Sequence, residues 1–163
     1  MDKSTRIEIE KCFLDVSRAA ARKKLYAMRA EHEGNIQLAR LFRAIALSEE
    51  AQATRLLLQL RGQTGNSLQN CKNAFEQEIP ALKDQYEHAM DIAAATGERA
   101  MQSAFSQSAK VQRVHLSLSK KLESNPASKT AYHVCSFCGF IMESHAPDNC
   151  PICTAPASRF KKV

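Results

Sequence analysis

Cys135-Ser-Phe-Cys138-Gly-Phe140 and Cys150-Pro-Ile-Cys153, with eleven residues between Cys138 and Cys150, decide how the C-terminal part of this chain folds. Two C-x-x-C pairs at this separation read as a four-thiolate metal site, not as four unrelated cysteines. Each pair makes a tight turn that aims two sulfurs at one ion. Together the turns supply a tetrahedral shell of soft ligands, which selects zinc or a single iron over magnesium or calcium. The position after the first pair is Gly139, which suits a turn requiring positive φ. The same position after the second pair is Thr154. A β-branched residue there is expected to be strained, or else to change the shape of the turn. Residues 132–163 are too few to bury an adequate core, so this module is expected to depend on its ion.

Upstream, Ala, Leu, Gln, Lys, Arg and Glu dominate up to about residue 123, and the apolar residues recur at helical spacing. Residues 4–32 read as a helix with Ile9, Phe13, Val16, Ala20 and Lys23 on one face, ended by Gly34-Asn35. A second helix covers 36–61 with the stripe Leu38, Phe42, Ile45, Glu49, Gln52, Leu56 and Leu60. Residues 62–67 form a loop whose Ser67 is placed to cap the next helix. The third helix spans about 68–95, with Phe75, Glu78, Leu82, Gln85, Ala89 and Ile92 aligned. Pro80 is expected to kink it or to start a new helix. Thr96-Gly97 ends it. A fourth helix runs over 98–123, with Met101, Phe105, Ser108, Gln112, His115 and Leu122 inward.

Four long helices on short connections imply a four-helix bundle over residues 1–123, followed by a linker over 124–131 and the metal module over 132–163. An internal echo at a spacing of 63 matches Gly34, Phe42, Ala46, Glu49 and Gln52 with Gly97, Phe105, Ala109, Gln112 and His115. The bundle therefore reads as two related helical hairpins.

Composition narrows the function. No run of about eighteen apolar residues occurs, so no membrane helix is expected. The N-terminal residues have no apolar h-region, which makes the cytoplasm the expected compartment. Six cysteines in that setting are four ligands plus two free thiols, Cys12 and Cys71. The net charge of +6 is spread along the chain without a basic block, so nucleic acid is not an expected partner. There is no Ser-His-Asp pattern, phosphate loop or nucleotide fingerprint.

Glu49, Gln52, Glu78, Gln112 and His115 all lie on apolar stripes. A buried carboxylate is costly unless paired or metal-bound. Polar groups at one level of a bundle core mark a metal site or what replaced one. Lys23, on the inward face of the first helix, is placed to neutralise Glu49 or Glu78, with Gln52 and Gln112 satisfying the remaining lone pairs. The expectation is a metal-free Lys–Glu–Gln–His network.

The chain resembles the rubrerythrin family, which joins a ferritin-like di-iron bundle to a C-terminal rubredoxin-like domain. The resemblance is carried by residues 36–46 (Ile-Gln-Leu-Ala-Arg-Leu-Phe-Arg-Ala-Ile-Ala), by residues 132–140, and by Ala146-Pro147, Cys150-Pro-Ile-Cys153 and Ala155-Pro156. It implies a mainly α fold: a ferritin-like four-helix bundle with a small rubredoxin-like metal ribbon. It also implies a homodimer, and a peroxide reductase in which the iron of the four-cysteine site feeds electrons to a di-iron site. The family's di-iron ligands do not carry over. Its Glu-x-x-His motifs are Glu49-Glu-Ala-Gln52 and Gln112-Arg-Val-His115 here, and its first-helix glutamate falls on Val16. Of those ligands the resemblance leaves at best Glu49, Glu78 and His115; two carboxylates and one imidazole cannot neutralise and bridge two irons, so a di-iron centre is not expected, and the reading that competes with the metal-free network is one divalent ion held by these three. Tyr132, Phe137, Phe140 and Phe160 around the cysteines look rubredoxin-like and favour one iron per chain over zinc. The family usually has glycine at the place of Thr154. The resulting expectation is one-electron transfer through Cys135, Cys138, Cys150 and Cys153 to an unknown redox partner. The alternatives are a peroxide reductase with an atypical bundle site and a zinc-stabilised interaction module.

Overall fold

In the computed structural model, residues 1–61, 65–125 and 129–163 are described, Arg61 without its side chain. Parts of the expected loop (62–64) and of the expected linker (126–128) lie outside the described residues. The chain forms two compact units, Met1–Gly65 and Asn66–Val163.

The first unit is a helical hairpin of α1 (Lys3–His32) and α2 (Ile36–Arg61). Asp2 caps α1, its carboxylate accepting from the Ser4 amide at 3.0 Å. Gly34, at φ 77°, turns the chain, and the Asn35 amide closes the helix end on the Ala30 carbonyl at 2.8 Å. The seam between the helices is built from alanines: Ala20, Ala27 and Ala30 on α1, and Ala39, Ala46 and Ala53 on α2, all buried. The seven-residue spacing of Ala39, Ala46 and Ala53 keeps them on one face, and their small size lets two backbones approach closely. Tyr26 and Phe42 meet edge to face at 5.7 Å.

Most of the expected inward stripe is buried or half-buried, but Leu38 and Gln52 are exposed. Each precedes a seam alanine by one residue and is therefore turned about 100° away from the seam.

The second unit begins with one helical run in three parts: α3 (Ser67–Cys71), a π-helical stretch (Lys72–Glu78) and α4 (Ile79–Ala95). The cap is Asn66 rather than Ser67. Its side chain accepts from the Gln69 amide at 3.0 Å while the Gln69 side chain accepts from the Asn66 amide at 2.9 Å. Pro80 lies in the first turn of α4. It has no amide for the Glu76 carbonyl and its ring would crowd that carbonyl in an α-helix. The wider turn ahead of it removes both conflicts.

That turn also rotates the face that follows. Phe75 and Ala89 are half-buried as expected, but Glu78, Leu82, Gln85 and Ile92 are exposed, Ile92 at 52%. The packed side of α4 is instead Lys83, Tyr86, Glu87, Met90 and Ala93. One extra residue in a turn displaces everything beyond it by about 100°. Along α5 (Arg99–Ser124), Phe105, Ser108, Gln112 and His115 are half-buried, whereas Met101 and Leu122 are exposed and Ala109, Val111 and Ser119 are the most buried.

The two hairpins repeat each other in detail. Gly97, at φ 75°, ends α4 with the Glu98 amide on the Ala93 carbonyl at 2.9 Å, as Gly34 ends α1. Ala46 and Ala109 are both buried. Lys24 pairs with Glu50 across the first hairpin. At the positions 63 residues later, Glu87 pairs with Arg113 at 2.6 Å, with the charges exchanged.

A three-stranded antiparallel sheet, ordered β2-β1-β3, completes the second unit: β1 (Tyr132–Cys135), β2 (Ile141–Glu143) and β3 (Phe160–Lys162), with a 3-10 turn at Ala157–Arg159. Cys135 sits opposite Phe160, and Val134 opposite both Ile141 and Lys161.

The alanine seam predicts that Ala46→Leu destabilises the first hairpin by about 1–3 kcal/mol through overpacking, since Ala46 is 1% exposed. Thermal unfolding followed by far-UV circular dichroism measures it.

Candidate metal centre

The two C-x-x-C turns are copies of each other. In the first, the Cys135 amide donates to the Phe140 carbonyl at 2.8 Å and the Gly139 amide to the Cys135 carbonyl at 2.9 Å. In the second, Cys150 donates to Ala155 and Thr154 to Cys150, both at 2.8 Å. The four sulfurs lie within 4.8 Å of one another, with Cys135 to Cys153 at 3.8 Å and Cys138 to Cys150 at 3.6 Å. A tetrahedral ion with metal–sulfur bonds of about 2.3 Å requires sulfur–sulfur edges of about 3.8 Å, so the donor set fits zinc or iron.

Backbone amides point at the sulfurs. Cys135 accepts from Cys138 and Phe137, Cys138 from Phe140, and Cys153 from Ala155. Burial pushes the Cys135 thiol up, but its two amide donors together with the neighbouring Cys153 and Cys138 sulfurs hold it below the usual thiol range. Burial raises Cys138 and Cys153, each with one amide donor opposing it. Four crowded thiols cannot all ionise alone, so an incoming ion has to displace protons. Cys135 and Cys150 are 1% exposed, whereas Cys138 and Cys153 are half-buried.

Water is excluded by Phe140, which meets Phe160 edge to face at 6.4 Å, and by Val111 from α5. Val111 belongs to the same buried cluster as Cys135, Phe140 and Cys150, with Val114 packed against it. Phe137 faces outward, 72% exposed. The contribution of α5 to this core is absent from the sequence reading. The signal for it is Val111 and Val114, apolar residues of α5 that lie off the expected inward stripe.

The remaining candidates are distributed over both units. In the first, the Lys23 ammonium donates to Glu49 Oε1 at 2.6 Å, and Glu49 Oε2 is buried without a hydrogen-bond partner. Gln52 is exposed and donates to Ser48 Oγ at 3.5 Å. In the second, Glu78 is exposed, and His115 Nδ1 lies 3.2 Å from Gln112 Oε1. The Gly139 carbonyl of the first cysteine turn acts on the His115 ring electrostatically, without a completed hydrogen bond to Nε2. Burial lowers the His115 pKa and that carbonyl partly opposes the shift. The ring also borders a cavity of about 250 Å³ with Phe75, Ile79, Leu118, Tyr132 and Ile141. Within each unit, among the described residues, the cysteine quartet is the group whose ligand atoms can share an ion.

Thr154 adopts φ 62°, so the second turn keeps its shape and the threonine takes the strain. Its hydroxyl donates to the Cys153 carbonyl at 2.6 Å, which offsets part of that cost. Thr154→Gly should therefore stabilise the metal-loaded protein by about 1 kcal/mol. Gly139→Ala should destabilise it by a similar amount through φ alone. A Cβ there would meet Val111 at an ordinary 3.9 Å. Denaturant titration of both variants tests the pair.

Residues 133–161 match the family described as the rubrerythrin rubredoxin-like domain. A rubrerythrin of Clostridium perfringens (strain 13 / Type A) is 29% identical over 175 aligned positions, covering 93% of this chain and 90% of that protein. Among solved structures, nigerythrin in its mixed-valence state aligns with a TM-score of 0.54 and in its partially reduced state with 0.55. Both are 21% identical, over 100% of this chain and 88% of theirs. That likeness shows a ferritin-like helical bundle with a rubredoxin-like ribbon. The geometry of the four cysteines and the matched sequence make residues 133–161 a rubredoxin-like domain of the rubrerythrin type, and the likeness of the whole chain to a rubrerythrin supports the rubrerythrin family.

Proposed function

We propose that this protein is a one-electron carrier that holds a single iron in Cys135, Cys138, Cys150 and Cys153, acting as a cytoplasmic homodimer with a redox partner still to be identified. The observation that carries this reading is the convergence of four sulfurs at tetrahedral spacing in a pocket sealed by Phe140, Phe160 and Val111. Bound iron would supply reversible one-electron chemistry there. The amides of Phe137, Cys138, Phe140 and Ala155 stabilise negative charge on the sulfurs. The apolar wall keeps water from them, and the exposed Phe137 edge offers an approach to the centre.

In the helical part, we propose that Lys23 takes the place of metal beside Glu49. An ammonium at 2.6 Å balances the carboxylate, and Gln52, Glu78, Gln112 and His115 then do not form a di-iron site. Replacing Lys23 by Met leaves a half-buried carboxylate unpaired. It should destabilise the protein by on the order of 1–3 kcal/mol, more than Glu49→Gln, which leaves Lys23 free to extend to solvent. Chemical denaturation of the two variants and of the double variant isolates the pair.

The reading as a whole is tested by metal analysis and visible spectroscopy on protein made in iron-replete cells. One iron per chain, red and bleached by reductant, is expected. One zinc without colour would move the protein to the structural class. Three irons per chain with peroxide-dependent reoxidation would make it a peroxide reductase.

A further inference from the structure

We propose that the exposed Phe137 and the basic edge beside it, Arg159, Lys161 and Lys162, form a docking surface for a small acidic electron-carrier protein. The proposal rests on the cysteine centre being a one-electron carrier, and it names the kind of partner such a centre requires.

The sheet places this surface. Phe137 lies inside the first cysteine turn, one residue before Cys138, which with Cys153 is the less buried pair of the quartet. Phe140 and Phe160 pack into the core, but Phe137 is 72% exposed and takes no part in the buried cluster. The Ser136 amide donates to the Arg159 carbonyl at 2.8 Å, so Arg159 runs alongside the start of the turn that carries Phe137. β3 then continues antiparallel to β1, with Phe160 opposite Cys135, Lys161 opposite Val134 and Lys162 opposite His133. Phe160 is half-buried against the cysteines, whereas Arg159, Lys161 and Lys162 are exposed.

The charge on this edge is unbalanced. Among the described residues, Arg159, Lys161 and Lys162 form no ion pair, and the ribbon's carboxylates lie elsewhere. Glu143 is on β2, the opposite edge, where Lys121 neutralises it. Asp148 precedes the 3-10 turn, and its backbone carbonyl accepts from the Ala157 amide at 2.9 Å. A singly exposed aromatic residue is ordinary, and lysine on an edge strand also deters pairing with another sheet. Neither accounts for the arrangement. The other edge strand reads Ile141-Met142-Glu143 and carries no cation, while three cations in four residues gather on the edge that meets the cysteine turn.

This combination suits transfer of an electron between proteins. An exposed aromatic residue with an arginine nearby supplies the anchor of a small interface. Unpaired cations around it draw in and orient an acidic partner, raising the rate of encounter more than the lifetime of the complex. A partner seated on Phe137 has its redox group on the Cys138 side of the centre. In the step itself a reduced carrier loses one electron and ferric iron in the quartet gains it, with no bond formed or broken and no proton moved.

The test uses the full chain, with flavodoxin, an acidic protein carrying FMN, as the probe. The zinc-loaded chain is redox-silent, so calorimetric titration with oxidised flavodoxin reads docking alone. The iron-loaded, oxidised chain mixed with flavodoxin hydroquinone in stopped flow reads electron transfer through loss of the red colour. Binding and rate should both weaken as salt is raised. Arg159→Glu combined with Lys161→Glu should lower the low-salt rate constant by about tenfold or more, and Phe137→Ala should weaken binding by about tenfold while keeping the salt dependence. Arg99→Glu, about 18 Å before Val111 along α5, controls for net charge and should leave both near wild type. Metal content and the final extent of bleaching by dithionite should match wild type in every variant.

Flavodoxin binding that charge reversal leaves at the wild-type value, or that strengthens with salt, would overturn the proposal. So would zinc-loaded wild-type protein that binds no flavodoxin. A homodimer that Phe137→Ala splits in sedimentation would overturn it too, because a second copy would then occupy the surface. Iron-loaded wild-type protein that dithionite fails to bleach would overturn the electron-carrier reading beneath it, whereas normal bleaching with unaltered flavodoxin binding in the charge-reversed variant would overturn the surface alone.

Discussion

The ribbon's buried core consists of very little besides its own cysteines. Cys135, Cys150 and Phe140 are the deeply buried side chains that it contributes, and the fourth member, Val111, comes from a helix. Three strands of three or four residues cannot bury enough apolar surface to hold a unique fold. The requirement that four sulfurs meet at one point closes the two turns, and α5 supplies the wall that the ribbon lacks. Metal binding and packing against α5 are for this reason one event energetically. The ribbon is an extension of the α4–α5 hairpin more than an appendage to it, which is why the two fall into one compact unit.

The helical hairpins answer a different constraint. Alanine at the contact allows close backbone approach but contributes little side-chain area, so specificity has to come from the flanks. Lys24 with Glu50 and Glu87 with Arg113 occupy equivalent places in the two hairpins with opposite polarity. Surface ion pairs contribute little stability individually. Exchanged charges do penalise pairing a helix of one hairpin with the wrong helix of the other, which is a matter of specificity. Lys23 and Glu49 sit at the adjacent level in the first hairpin. The equivalent positions in the second are Tyr86 and Gln112. The repeat that is regular in its turns and seam thus diverges at the residues with chemistry.

Two local violations of residue preference are informative. Thr154 at positive φ shows that the second cysteine turn is imposed by its hydrogen bonds and by the sulfurs it must deliver, against the preference of a β-branched residue. Pro80 shows the opposite balance. There the local demand prevails, and the helix widens into a π-turn that changes which residues of α4 are packed.

Much was legible in the sequence. Cysteine spacing is a local property with one geometric solution, so the quartet and its ribbon could be read directly. Helix extents followed from periodicity and from Gly34 and Gly97, because capping is decided within a few residues. The faces were less legible. A stripe read at constant pitch cannot anticipate the extra residue before Pro80, nor choose Ala39 over Leu38, since a small residue at a seam is favoured only once a partner backbone is close. Least legible was His115. In sequence it belongs with Gln112 and the polar residues of the bundle. Only the packing of α5 against the ribbon brings its ring beside Tyr132 and Ile141, because Val111, one helical turn earlier, is buried with the cysteines. The sequence by itself determined which four sulfurs can share an ion and where the helices begin and end, because both depend on neighbours along the chain. Tertiary structure alone decided which helix shelters the ion and which polar side chains meet, because those depend on surfaces that exist only after the helices have packed.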